Sequence, residues 1–275
     1  MSSDINLERI FGVAVREPHF SRFRDGENAF NSIEILTENF LFDHGERRNF
    51  LKELSGISFI HSHGTAANIG STDPLDKKYF ENLKRFIREF SVDLVSDHLC
   101  FTRQNQKSSF ELLPVPMTLS MVDHIGRRVD QVRQMIGQDF LLENISRYFS
   151  YKLDEMDEVE FMAKLHDKHG VKFLLDVNNI YVSSRNLNLD WDAYLSGLPR
   201  NCVGGYHLGG FEMVEGFLFD THGAKVVPEV SEIFAKSVDY FGFQPAFLER
   251  DSHIPEDLGE LEIELSNLVG GLSNG

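Results

Sequence analysis

Eight short apolar segments recur along the chain, and stretches of helical spacing lie between them. This alternation constrains the fold more than any other feature. The segments are Phe11–Val15, Ser32–Leu36, Ile57–Ser62, Leu94–Leu99, Phe140–Asn144, Phe173–Val177, Val203–Leu208 and Ala246–Glu249. Their β-branched and aromatic content, and the turns that bound them, mark them as strands. Lys77–Phe90 places Phe80, Leu83, Ile87 and Phe90 on one helical face, and Ser120–Ile136 places Val122, Ile125, Val129, Val132 and Ile136 on another. Val159–His169, Val227–Tyr240 and Leu258–Leu268 follow the same period. Strands that are apolar almost throughout belong to a parallel sheet covered by helices. Eight such units in 275 residues fit an α/β fold of the closed (β/α)8, TIM-type barrel kind. An open doubly wound sheet is the alternative. No Pro/Gly/Ser linker or change of composition divides the chain, so residues 1–275 are expected to form a single domain.

The charge narrows the partners. Forty-three acidic residues against 27 basic ones leave a net charge of −16, which repels nucleic-acid phosphates unless a basic patch overrides it. The pairs Arg47-Arg48 and Arg127-Arg128 are too sparse to form one. No run of 18 apolar residues predicts a membrane span, and residues 1–9 lack the basic-then-apolar pattern of a secretory signal. Two cysteines, Cys100 and Cys202, are too few for a disulfide scaffold and suit a reducing, cytoplasmic setting. Two long polar stretches, Phe101–Pro116 and Ser183–Trp191, are expected as loops forming a substrate rim at one face.

The strand ends carry the chemistry. The third segment ends His61-Ser62-His63-Gly64, the fourth Ser96-Asp97-His98 and the fifth Leu142-Glu143-Asn144. The sixth runs Asp176-Val177-Asn178-Asn179, and the seventh ends at His207 with Asp220 and His222 beyond it. The eighth ends Leu248-Glu249-Arg250-Asp251. Taken singly, each has an ordinary explanation: a hydrogen-bonded histidine, a helix cap, a turn. Together they bring Glu143, Asp176, Asp220 and Glu249 to one end of one barrel, beside His63, His98, His207 and His222. Buried carboxylates at close range do not all stay ionised without a compensating cation. So many ligands exceed the needs of one six-coordinate ion, which implies two or three metals with a bridging carboxylate. Imidazole and carboxylate without thiolate suit iron, manganese or zinc.

With these residues assembled, the chain resembles the multinuclear non-haem iron-dependent oxidative enzymes, relatives of the methanobactin-biosynthesis oxidase. The resemblance rests on Gly12-Val13-Ala14-Val15-Arg16-Glu17-Pro18-His19, Glu38-Asn39-Phe40, His63-Gly64, Ser96-Asp97-His98-Leu99 and Leu112-Leu113-Pro114-Val115-Pro116. It continues through Leu142-Glu143-Asn144, Leu175-Asp176-Val177-Asn178-Asn179, His207-Leu208, Asp220-Thr221-His222-Gly223 and Leu248-Glu249-Arg250-Asp251. It implies a xylose-isomerase-like barrel holding two to three irons, mixed Fe(II) and Fe(III), with dioxygen as co-substrate. The implied reaction is oxidative modification of a residue, often a cysteine, in a ribosomally made precursor peptide, with a small companion protein binding the leader. By resemblance His63, His98 and Glu143 hold one iron, and Glu143, Asp176, His207 and Glu249 the second. Asp220, His222 and one of Asn178 or Asn179 line a third position. Asp176, His207 and Glu249 form the catalytic set, with Arg16, His19 and Glu38 as substrate contacts. The chain departs from the family pattern at Gly209-Gly210-Phe211, where a second histidine is usual, at Asp97 in place of Glu, and at Ala14 in place of Gly.

Two other chemistries use the same barrel: a zinc-dependent phosphodiesterase or endonuclease-like hydrolase, and a metal-dependent sugar isomerase. The first wants a basic groove and the second a strand-end lysine, and neither is evident in the sequence. A barrel that stores metal or binds peptide without turnover is a third alternative.

Overall fold

The computed structural model describes residues 10–42, 45–54 and 56–272. The segment read above for secretory signals, residues 1–9, lies outside them. In chain order the strands are β1 (Phe11–Ala14), β2 (Ser32–Leu36), β3 (Phe59–Gly64), β4 (Leu94–His98), β5 (Cys100–Gln104) and β6 (Lys107–Pro114). They continue as β7 (Leu141–Glu143), β8 (Phe173–Asp176), β9 (Val203–Leu208), β10 (Phe211–Val214), β11 (Phe217–Asp220) and β12 (Ala246–Leu248). Eight of these close into a barrel in the order β1-β2-β3-β4-β7-β8-β9-β12. β1 pairs in parallel with both β2 and β12, which rules out the open sheet. All eight expected strands are present, displaced by at most two residues.

Helices follow the predicted spacing. Lys77–Phe90 starts where the Asp76 side chain accepts from the backbone N–H groups of Lys78 and Tyr79, and ends where Ser91 turns left-handed. Thr118 and Asp157 cap Leu119–Ile136 and Glu158–His169 in the same way. Inside the barrel the strand period of two sends alternate residues to the axis. Gly12 is one of them: a Cβ there would fall 2.7 Å from the Phe247 ring, so its absence lets Phe247 fill the barrel beside His61. The outward residues, among them Val13, Ile33, Val95, Leu142 and Leu175, are buried against the helices.

The two expected rim loops fare differently. Residues 100–114 form the antiparallel hairpin β5–β6, turning at Asn105 and Gln106, both left-handed, whose N–H groups are received by Asp73. Ser183–Trp191 is not a rim loop. A helix, Val177–Leu187, runs through its first half and another, Trp191–Gly197, begins at its end. The polar residues that suggested a loop are buried and bonded: Ser184 donates to the Ile180 carbonyl, and Ser183 accepts from the Arg147 N–H. Asn186 grips both backbone groups of Leu218 and so props the hairpin β10–β11.

Candidate metal centre

Register places the strand-end side chains beside one another. His98 pairs with Glu143 across β4 and β7, and Asp176 with His207 across β8 and β9. His63 Nε2 lies 2.9 Å from Glu143 Oε2, and His98 Nε2 lies 3.3 Å from both. The other oxygen of Glu143 lies 3.1 Å from His207 Nδ1, which is also 3.4 Å from Glu249 Oε2 and 4.0 Å from Asp176 Oδ2. His222 sits between carboxylates: Nε2 is 3.1 Å from Asp220 and 3.3 Å from Asp176, and Nδ1 is 3.2 Å from Glu249. Donor atoms side by side on a six-coordinate ion, each about 2.1 Å from it, are spaced by about 3 Å, as most of these are.

Asp176 does two things. Its Oδ1 accepts from Asn179 N at 2.7 Å and caps the helix that follows, while Oδ2 faces the centre. The cap and ligand alternatives weighed from the sequence are thus compatible. The Asn178/Asn179 ambiguity also divides. Asn179 is committed, accepting from Ser146 Oγ and donating to the Asn144 carbonyl. Asn178 donates to Asp220 at 3.0 Å and leaves its Oδ1 free. Among the described residues, Glu143 Oε2, Asp176 Oδ2, Asn178 Oδ1 and His222 Nε2 are buried without a hydrogen bond. An unpaired buried polar group costs about 1–3 kcal/mol. Several such atoms in one donor set fit a bound cation.

Electrostatics agree. Burial disfavours a charged ring at His98, yet Glu143 and Asp97 push it up to about 9. His207 and His222 are also carried well above the ordinary histidine value despite burial, chiefly by Glu34 and Glu143 and by Asp220 and Glu249 respectively. Burial, then repulsion from Asp251, lifts Glu249 to about 7, and burial lifts Asp220 to about 6. Without metal, protons occupy the centre that a cation would neutralise.

The centre opens into a cavity of about 880 Å³ lined by His63, His98, Glu143, Asp220, His222 and Glu249, with the β5–β6 hairpin along one side. Arg16 reaches it and pairs with Glu249 at 3.3 Å and with Asp251. His19 and Glu38, expected as substrate contacts, are not among the lining residues. His19 is fully buried, and its ring bonds the Pro255 carbonyl at 2.9 Å. Glu38 accepts from Tyr79 Oη at 2.7 Å and from the N–H groups of Thr65 and Ala66, holding the turn after β3. Two residues absent from the expected set, Glu34 and His61, lie beneath it: Glu34 Oε2 is 2.5 Å from His207 Nε2 and 2.8 Å from His61 Nδ1. The signal was there, since a carboxylate between Ile33 and Ile35 in a buried strand needs a partner.

Fold and site together define a TIM-barrel protein with a buried histidine–carboxylate centre of metal-binding type. A family model described as the RiPP precursor modification enzyme MbnB/TglH/ChrH matches residues 10–269, and the chain belongs to that family. A UPF0276 protein of Anaeromyxobacter sp. (strain Fw109-5) is 36% identical over 91% of this chain and 88% of its own. One of Chromobacterium violaceum is 33% identical, covering 96% of each. Among solved structures, the 3-keto-D-glucoside 4-epimerase YcjR of E. coli superposes with a TM-score of 0.63 at 16% identity, over 95% of this chain and 99% of that one. A xylose isomerase-like TIM barrel/4-hydroxyphenylpyruvate dioxygenase fusion protein gives a TM-score of 0.56 at 13% identity, over 90% of this chain and 40% of that one. These likenesses establish the xylose isomerase-like barrel. No helix among the described residues is long and apolar enough to cross a membrane.

Proposed function

We propose that this protein is a multinuclear non-haem iron, dioxygen-dependent oxidase that modifies a cysteine of a ribosomally made precursor peptide, assisted by a small companion protein that binds the leader. The observation that carries this reading is Glu143, which turns one oxygen to His63 and His98 and the other to His207. That is the arrangement a bridging carboxylate needs. His63, His98 and Glu143 would hold one iron, and Glu143, Asp176, His207 and Glu249 the second. Asp220, His222 and Asn178 would line a further position. Bound iron supplies an oxidant from dioxygen and a Lewis-acid position for a thiolate. The four carboxylates nearly balance one ferrous and one ferric ion, leaving room for one anionic ligand. Arg16 and Arg103, both lining the cavity, favour the approach of such a group. The β5–β6 hairpin lines one side of the cavity, and an extended peptide laid along it would direct a side chain at the centre.

Elemental analysis of anaerobically purified protein, with electron paramagnetic resonance on the same sample, tests this. Two to three irons per chain with a mixed-valence signal support it, as does oxygen consumption with a cysteine-bearing precursor. Stoichiometric zinc that persists through iron supplementation would overturn it in favour of a hydrolase.

A further inference from the structure

The imidazoles on the two sides of Glu143 are joined a second time, from below. His63 Nδ1 lies 2.7 Å from Ser96 Oγ, and Ser96 Oγ lies 2.7 Å from His61 Nε2. His61 Nδ1 lies 2.8 Å from Glu34 Oε2, a contact bent from the ideal hydrogen-bond line, and the same oxygen lies 2.5 Å from His207 Nε2. With Glu143 above, six side chains from β2, β3, β4, β7 and β9 make a closed ring. Every member is buried.

With the histidine rings neutral, as metal ligands are, the protons in this ring have one self-consistent arrangement when Glu34 is a carboxylate. An acceptor-only group requires N–H from both neighbours, so His61 carries its proton on Nδ1 and His207 on Nε2. The bare Nε2 of His61 then accepts from the Ser96 hydroxyl. Ser96 Oγ in turn accepts from His63 Nδ1–H. The nitrogens left bare are His63 Nε2 and His207 Nδ1, the two that face Glu143. Bare nitrogens facing carboxylate oxygens are tolerated only with a cation between them, so this arrangement belongs to the metal-loaded centre. The Glu34 contacts are of hydrogen-bond length, and the outer nitrogens of His61 and His207 already face Ser96 and Glu143. Glu34, His61 and His207 therefore act as a hydrogen-bonded support, not as one more metal position.

We propose that Glu34, His61 and Ser96 are positioning residues that lock His63 and His207 into metal-facing tautomers, so that one buried carboxylate orients ligands on both sides of the bridge. This rests on the metal reading of the centre, but not on iron redox chemistry or a peptide substrate. Partners of this kind behind a metal-bound histidine typically change metal affinity by about 10–100-fold.

The test uses the full chain with Fe(II), titrated anaerobically against a chromogenic chelator, and zinc-loaded protein for ¹⁵N NMR of the histidine rings. Thermal melting of the metal-free variants runs alongside. Both rings meet the same oxygen of Glu34, so Glu34→Gln leaves at best a neutral acceptor in place of a charged one and, with the amide turned over, presents N–H groups to both rings. It is expected to weaken both metal positions by about 10–100-fold while the metal-free melting temperature stays near wild type. Ser96→Ala breaks only the His63 branch and is expected to weaken one position. Zinc-loaded wild type should show His63 protonated at Nδ1 and His207 at Nε2. Opposite tautomers, or affinities within about twofold of wild type in both variants, would overturn the proposal. If Glu34→Gln does not fold, Ser96→Ala and the tautomer measurement decide. A wild-type chain that binds no metal overturns the metal-centre reading with it. Two bound ions with unmoved variants overturn this inference alone.

Discussion

Glu143 divides its carboxylate between two histidines on different strands: Oε2 is 2.9 Å from His63 Nε2, and Oε1 is 3.1 Å from His207 Nδ1. An amide cannot serve both sides as an anion. Glu143→Gln should therefore lower metal content below one ion per chain after desalting, whereas loss of a ligand to a single position should spare the other. Metal analysis of Glu143→Gln beside Asp220→Asn makes the comparison.

The metal-free protein should lose stability as pH rises. Asp220, Glu249 and His98 hold protons in the folded chain up to about 6, 7 and 9, higher than their ordinary values. The folded state then binds more protons than the unfolded one, so stability falls with pH. For His98 the contribution is complete below about 6.5 and is lost through about 9. Metal replaces these protons, so the rise in melting temperature on adding metal should grow from pH 6 to 9. Melting curves across that range, with and without metal, check it.

Glu158 offers a control away from the centre. Burial lifts its carboxyl to about 7, against a partial offset from Arg147. Between about 4.5 and 7 the unfolded chain gives up this proton first, so the residue costs stability increasingly as pH rises. Glu158→Gln should stabilise the protein at pH 8 by up to ~3 kcal/mol and by little near pH 4.5. Denaturant melts at the two pH values measure the difference.

Gly210 has no room for a side chain. A Cβ would fall 2.3 Å from the Ala224 carbonyl oxygen and 2.7 Å from that of Lys225, just beyond His222. Backbone does not give way as a side-chain tip does. Gly210→Ala should cost about 1–3 kcal/mol and, by shifting the 221–225 segment, weaken metal binding near His222 more than near His63. Thermal melts and metal titration of the variant would show both effects.

Phe110 stands at the cavity with 92% of its surface exposed and a left-handed backbone, φ +59°. Its ring does nothing for the core, and asparagine tolerates this conformation better. Phe110→Asn should leave stability unchanged or raise it by up to ~1 kcal/mol. If the hairpin receives the peptide, the same change should raise KM several-fold with kcat little altered. Steady-state kinetics with the precursor would separate the two.

What the sequence determined was whatever depends on neighbours along the chain. Apolar strands and period-3.6 helices bury their own faces wherever they lie, so the eight strand–helix units of an α/β fold were legible from pattern, while closure into a barrel over an open sheet came with the β1–β12 pairing. The strand-end residues were legible for a related reason: parallel strands in a barrel all finish at one end, and His63, His98, Glu143, Asp176 and His207 do meet there. Tertiary structure decided what depends on register and on packing across the barrel. Glu34, in the middle of an apolar strand, gains its meaning only when β2 lies beside β3 and across the barrel from β9, with His61 and His207 in reach. His19 and Glu38 sit in motifs that pointed to substrate, but neither lines the cavity: His19 bonds the Pro255 carbonyl, and Glu38 holds Tyr79 and the turn after β3. Asn178 and Asn179 are adjacent in sequence, yet a helix turns successive residues by about 100°, so one meets Asp220 and the other Ser146. The polar run Ser183–Trp191 looked like loop because its hydrogen-bond partners, Arg147 and Leu218, are more than 30 residues away along the chain. Local pattern specifies which faces are buried, while the identity of the group waiting on the other side is set only when distant strands close on one another.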